Sequence, residues 1–299
     1  KDDRKQIWRT GIFKTISSSI LCFNEGRVLY SKGIDEEYTN MVMNIPDEAF
    51  QVADEVGLQH FEMSRYIDLD LYHKVESSHP FYKEMTLKIA NEIREKCKPG
   101  KTYRVLELGA GTGLFTADLL KIPNLEVVAL EIDLGCCEVL RKHLENETNI
   151  SIVHGNALEY SEDLPFDFVV STFAHDHIHW DYAEKFSANI QKNLTKDGIY
   201  FMGGEILPDY ESVNDRENAL YKYHGMIVDR ALRNKDYRLA QIEINALESG
   251  VEMIGDFKRS IDKFEAEMSS AGFVQASKEK MGPLDQADVG GVFVYSFHK

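Results

Sequence analysis

The sequence predicts a doubly wound α/β fold: a mostly parallel seven-stranded sheet with an antiparallel last strand, plus helical N-terminal and inserted cover elements. Three observations predict it. From about residue 103, short apolar runs alternate with amphipathic stretches, the pattern of parallel strands joined by crossover helices. A glycine-rich turn, Gly109-Ala-Gly-Thr-Gly113, directly follows the first apolar run. The last two apolar runs lack a long helix between them and therefore pair as an antiparallel hairpin.

The strands are read in chain order as Tyr103–Leu108, Leu125–Glu131, Ile150–His154, Phe166–Thr172 and Gly198–Gly203. Each is expected to be separated from its neighbour by a helical segment, such as Leu114–Lys121 or Gly135–Glu145. The closing hairpin, Gly272–Lys278 with Gly291–Phe297, is expected at the sheet edge. Residues 1–99 form an expected N-terminal helical cover that ends in a helix over Pro80–Lys98, stopped by Lys98-Pro-Gly-Lys101. Residues 100–299 form the core, with a helical insertion at 207–256 carrying helices at Asp215–Asn234 and Asp236–Gly250; Phe257–Ser270 is helical before the hairpin. Ligands of such sheets sit beyond the carboxyl ends of the strands, so both extra regions are expected to fold over that edge.

Of the 299 residues 43% are hydrophobic and 28% charged, an ordinary globular balance. No run approaches the ~18 apolar residues of a membrane span, and no signal-peptide pattern opens the chain. A cytoplasmic protein with no membrane partner is expected. The first residue is Lys1 rather than Met, which suits a trimmed chain or a domain cut from a longer polypeptide. Fifty acidic residues against 34 Lys and Arg leave a net charge of -16, which repels a phosphate backbone. The expectation is therefore a small-molecule or carrier-bound substrate and no nucleic acid. Cys22, Cys97, Cys136 and Cys137 show no framework spacing and read as reduced thiols.

Three glycines between a buried strand and a helix permit a tight turn, close backbone approach to a ligand and helix amides aimed at it. The spacing is G-x-G-x-G rather than the G-x-G-x-x-G of a dinucleotide site, which weighs against a nicotinamide oxidoreductase. With Glu107 upstream, Val105–Gly113 resembles the first motif of class I S-adenosylmethionine-dependent methyltransferases. Ala129-Leu-Glu-Ile-Asp133 resembles the next motif of that family, with Glu131 at the position that takes both ribose hydroxyls. His154-Gly-Asn-Ala157 resembles the segment that flanks adenine, with Asn156 where Asp is usual. The resemblance covers roughly residues 100–206 and 257–299, and it implies S-adenosylmethionine held by Glu107, Gly109, Gly111, Gly113, Glu131, Asn156 and Ala157. Methyl transfer is the implied activity, with a non-catalytic S-adenosylmethionine-binding module as the alternative.

The fourth strand runs into Phe173-Ala-His-Asp-His-Ile-His-Trp180, where the family's transferable methyl group lies. His175, Asp176 and His177 are the candidate catalytic residues, since a histidine near neutrality can remove a proton from the acceptor. A second reading is a divalent or iron ion held by Asp176, His177 and His224, with Glu205 as a further carboxylate. The stretch also resembles, more weakly, the metal-dependent C-methyltransferase domains of polyketide assembly lines. Tyr221, Tyr223 and Tyr237, with Phe61 and Tyr66, are candidates for lining an apolar acceptor pocket.

Overall fold

The structure, a computed structural model, describes residues 69–299 apart from 254 and 287. Most of the expected N-terminal cover, including Cys22, Phe61 and Tyr66, lies outside the described residues.

Seven strands, β1 (Tyr103–Leu108), β2 (Leu125–Glu131), β3 (Ile150–His154), β4 (Phe166–Thr172), β5 (Leu194–Ile206), β6 (Val274–Gly282) and β7 (Gly291–His298), form one sheet. Its order is β3-β2-β1-β4-β5-β7-β6. Strands β1 to β5 pair in parallel, and β7 runs antiparallel to both β5 and β6. The expected hairpin is present, with its second strand inside the sheet. Burial explains that order: every residue of β7 except His298 is buried, so its near-continuous apolar run needs neighbours on both sides. In contrast β6 is largely exposed, and its Lys and Glu residues suit an edge.

The helices are α1 (Leu69–Val75), α2 (Tyr82–Lys96), α3 (Leu114–Leu119), α4 (Leu134–His143), α5 (Ala183–Asn193), α6 (Val213–Arg233), α7 (Tyr237–Glu252) and α8 (Ile261–Ser270). One expected element is missing: residues 155–165 link β3 to β4 by turns rather than by a helix. There Asn156 Oδ1 accepts from the Leu158 amide at 2.9 Å, a local bond that favours a turn over a helix.

On one sheet face, Met85, Ile89 and Ile93 of α2 pack with Phe115 and Leu119 against Val105, Val127 and Phe201. Gly203 lets α2 approach closely, since a Cβ there would lie 2.8 Å from Met85 and Ile89 atoms. On the other face, Phe186, Phe264 and Met268 cover Leu106, Val169 and Tyr200. Helices α6 and α7 bury Leu220, Ile227, Ile244 and Leu247 in a core of their own that meets the chain leaving β5 at Leu207. A capping box at Ser212 and Asp215 starts α6, and buried Arg216 donates to the Gly250 carbonyl at 2.8 Å, tying α6 to the end of α7. Each large aliphatic side chain buried there contributes about 1.5–3 kcal/mol, enough to hold the insertion as a packed unit.

The strand order reverses between β1 and β4, which are adjacent although β2 and β3 intervene in the chain. Beyond the carboxyl ends of these two strands lies the crevice where an α/β sheet binds its ligand.

Candidate active site

The turn after β1 is left-handed at all three glycines, with φ of 69° at Gly109, 54° at Gly111 and 89° at Gly113. Each has its own reason to lack a side chain. A Cβ on Gly109 would stand 2.6 Å from the Ala174 Cβ, and one on Gly113 would stand 2.1 Å from Leu140 Cδ1. Those two serve packing. A Cβ on Gly111 meets nothing within 4 Å, because that residue faces open space. Gly109 and Gly111 line a pocket shared with Glu131, Asn156, Ala157 and Phe173. Gly113 stands at the start of α3 and is not on the pocket wall.

Glu131 ends β2 with both carboxylate oxygens held: the Gly111 amide donates to Oε2 at 2.7 Å and the Asp133 amide to Oε1 at 2.8 Å. The acidic residue thus braces the glycine turn from the neighbouring strand. Burial pushes its carboxyl up, and the backbone donors only partly offset this. Asp133 has a different task, accepting from the Gly135 and Cys136 amides as the N-cap of α4.

Glu107, expected to touch the cofactor, does not reach the pocket wall. It is 1% exposed and accepts from the Thr116 hydroxyl at 2.7 Å, fixing α3 from beneath the turn. Burial drives its carboxyl up to about 8, with Thr116 pulling the other way.

The histidine cluster separates. His175 is buried, its ring T-shaped on Phe186 and Phe264, with Nδ1 3.2 Å from Tyr200 Oη and Nε2 2.9 Å from Glu267 Oε1. It is absent from the pocket wall, which corrects its expected place beside the methyl group. Asp176 forms an ion pair with Lys258 at 3.6 Å. His177 does line the pocket, and its Nδ1 meets the Gly255 carbonyl. Burial disfavours the charged His177 ring, but Asp176 and Asp256 outweigh that and raise its pKa above the usual value.

His224 is fully buried on α6, with Nδ1 3.0 Å from Glu243 Oε2. Asp176, His177 and His224 therefore have separate neighbours, and among the described residues the ligand atoms that converge belong to His79, Glu205 and Glu243. His79 Nδ1 faces the Pro80 carbonyl at 3.0 Å, while Nε2 lies 3.2 Å from Glu205 Oε1 and 3.3 Å from Glu243 Oε1. Burial opposes a charge on His79, yet Glu243 and Glu205 overcome it and hold the ring well above the usual histidine range. Burial likewise opposes ionisation of Glu205, but Lys258 and His79 hold it well below the usual carboxylate range. Nothing in local spacing marks His79 or Glu243, which meet only through the packing of α7 over the strand ends.

The expected aromatic pocket is also redistributed. Tyr223 is buried and donates to Glu205 Oε1 at 2.7 Å, while Tyr221 and Tyr237 pack on the α6–α7 core. Tyr72, Glu76 and Tyr82 line the pocket instead. Burial pushes the Glu76 carboxyl up to about 7, against the pull of His79 and Tyr72.

A family model described as ribosomal RNA adenine dimethylase matches residues 80–200. The chain is 46% identical over 57 residues to an rRNA adenine N-6-methyltransferase of Lysinibacillus sphaericus, covering 19% of this chain and 23% of that protein. It is 21% identical over 199 residues to malonyl-[acyl-carrier protein] O-methyltransferase 1 of Ilyobacter polytropus, covering 62% of this chain and 72% of that protein. The chain spans less than half the length of two of the curated relatives it matches. Among solved structures it is similar to a cyclopropane synthase of Mycobacterium tuberculosis, with a TM-score of 0.52 and 14% identity over 71% of this chain and 84% of that one.

The fold is that of the class I S-adenosylmethionine-dependent methyltransferases, the family that the glycine turn resembles. Its relatives are methyltransferases. One expectation is corrected: nucleic acid is not excluded, because the matching family model and relatives are named for ribosomal RNA. A net charge of -16 sums the whole chain and does not decide the charge of one face. Among the described residues no helix is long and apolar enough to cross a membrane.

Proposed function

We propose that this chain transfers a methyl group from S-adenosylmethionine to an organic acceptor. The observation that carries the reading is one pocket wall on which open Gly111, the Glu131 carboxylate and the Asn156–Ala157 turn stand together at the β1/β4 reversal. When bound, S-adenosylmethionine supplies a methyl carbon made electrophilic by its sulfonium sulfur. Glu131 suits the ribose hydroxyls, since each carboxylate oxygen keeps a lone pair beyond its backbone donor. Gly109 and Gly111 allow the backbone to approach the cofactor, and Asn156 and Ala157 flank the adenine.

The acceptor enters beside Tyr72, Glu76 and Tyr82. Glu76, with a carboxyl near 7, is matched to accept a proton at neutral pH, and His177 on the same wall is a second proton-handling group that Asp176 holds by its charge. Helices α1 and α2, which bring Tyr72 and Tyr82 to the pocket wall, and the α6–α7 insertion serve as cover, closing over the reacting groups and excluding water. A small or carrier-bound acceptor fits this covered setting. A second reading, an adenine of RNA, is favoured by the family match, which ends at residue 200, before α6 and α7 begin.

The test is transfer of a labelled methyl group from S-adenosylmethionine to acyl carrier protein bearing malonyl, to small acceptors and to ribosomal RNA. Label on a small or carrier-bound acceptor, lost in Glu131→Ala, supports the first reading; label on RNA alone replaces it with the second. Tight binding with no transfer to any acceptor would favour the binding-module alternative.

A further inference from the structure

We propose that His79, Glu205 and Glu243 form a binding site for one divalent transition-metal ion, of the manganese, iron, cobalt or zinc type. The site stands on its own geometry and does not depend on the acceptor.

Three elements supply the ligands: the turn before α2, the end of β5 and the middle of α7. The ligand atoms are 3.2 and 3.3 Å apart across His79 Nε2. Metal–ligand bonds of about 2.0–2.2 Å at right-angled to tetrahedral geometry separate ligand atoms by roughly 3.0–3.5 Å, so the spacing leaves room for an ion.

The far atom of each ligand is fastened. His79 Nδ1 must donate to the Pro80 carbonyl, which can only accept, and this turns Nε2 toward the carboxylates. Glu205 Oε2 is held by Lys258 Nζ at 3.0 Å, and Glu243 Oε2 by His224 Nδ1 at 3.0 Å. Tyr223 also donates to Glu205 Oε1, whose second lone pair remains. Outer partners of this kind orient ligands toward a metal.

His224 is completely buried and turns Nδ1 to Glu243 Oε2, so its ring fixes that carboxylate from behind. Lys258 pairs with Asp176, Glu205 and Asp256, which leaves Glu243 to His79 and His224. Coordination at Nε2 sends any proton there to solvent, with no oxidation or reduction. The ion would clamp the turn before α2 and helix α7 to the sheet next to Phe173, whose ring meets His79 edge-on at 4.9 Å on the pocket side.

The test is titration of the full chain, stripped with chelator and dialysed, with Co2+ followed by its visible absorption and with Mn2+ followed by paramagnetic resonance. One ion per chain is expected, with affinity at least tenfold weaker in Glu243→Gln and in His79→Gln, and unchanged in His154→Ala and His298→Ala at exposed positions. Thermal melts confirm that the variants fold. Absence of binding by the unsubstituted chain, or binding that survives both cluster substitutions, would overturn the proposal. Calorimetric binding of S-adenosylmethionine, run on the same samples, separates failure of the metal site from failure of the methyltransferase reading.

Discussion

Replacing Glu107 by Gln should stabilise the protein, and by more as the pH rises. The native carboxyl is 1% exposed, and burial lifts it from its ordinary value of 4.5 to about 8. A folded pKa above the unfolded one means that the native state keeps a proton the unfolded chain has released. The associated stability is fully present below pH 4.5 and is lost as the pH climbs through 8. At about 1.4 kcal/mol for each pH unit in that window, the ceiling is ~5 kcal/mol, and a few kcal/mol is the realistic scale. Gln retains a carbonyl oxygen for the Thr116 hydroxyl and cannot ionise. Urea unfolding of both proteins at pH 5, 7 and 9 measures the gap directly. The gap should open steadily in favour of Glu107→Gln, and a gap independent of pH would refute the assignment of Glu107 as a buried support of the turn.

Glu267 predicts the opposite slope. Burial opposes its ionisation, but His175 and Arg259 hold it down to about 2, so its stability is present above the ordinary 4.5 and lost as the pH falls toward 2. Glu267→Gln should cost a few kcal/mol at pH 7 by denaturant unfolding, a cost that shrinks on acidification. Gly113→Ala should lower the melting temperature, since the new Cβ meets Leu140 at 2.1 Å and φ is 89°; a loss below ~1 kcal/mol would show that α4 yields easily. Helices α6 and α7 should gain hydrogen-exchange protection when cofactor and acceptor bind together, and equal protection with and without ligand would make them static scaffold.

Strands β1, β2 and β4 are legible because each is a buried apolar run with turn residues at both ends, and the half-exposed β3 because Ile150, Ile152 and Val153 make a short apolar run. The limits of β5 are not, since the apolar run starts only at Gly198 and Leu194–Asp197 is drawn into the strand by the pairing of Leu194 with Phe166. The split among acidic residues is half legible. Glu131 sits at a strand end and Glu107 inside a strand, yet only tertiary packing reveals that Glu107 points to Thr116 while Glu131 faces the glycine turn. Adjacency misleads at 175–177, where a 3-10 turn sends neighbouring side chains to different partners. His79, Glu205 and Glu243 are far apart in sequence, and no periodicity links them.

The central claim is that the wall built by Gly111 and Glu131 holds S-adenosylmethionine, and isothermal titration calorimetry tests it most directly. The unsubstituted chain should bind one equivalent. Glu131→Ala should weaken binding by about 2–4 kcal/mol, the scale of losing charge-assisted hydrogen bonds, while Glu107→Gln should bind within a few fold of the unsubstituted protein. No binding by the unsubstituted chain, or unchanged affinity in a folded Glu131→Ala protein, would contradict the account.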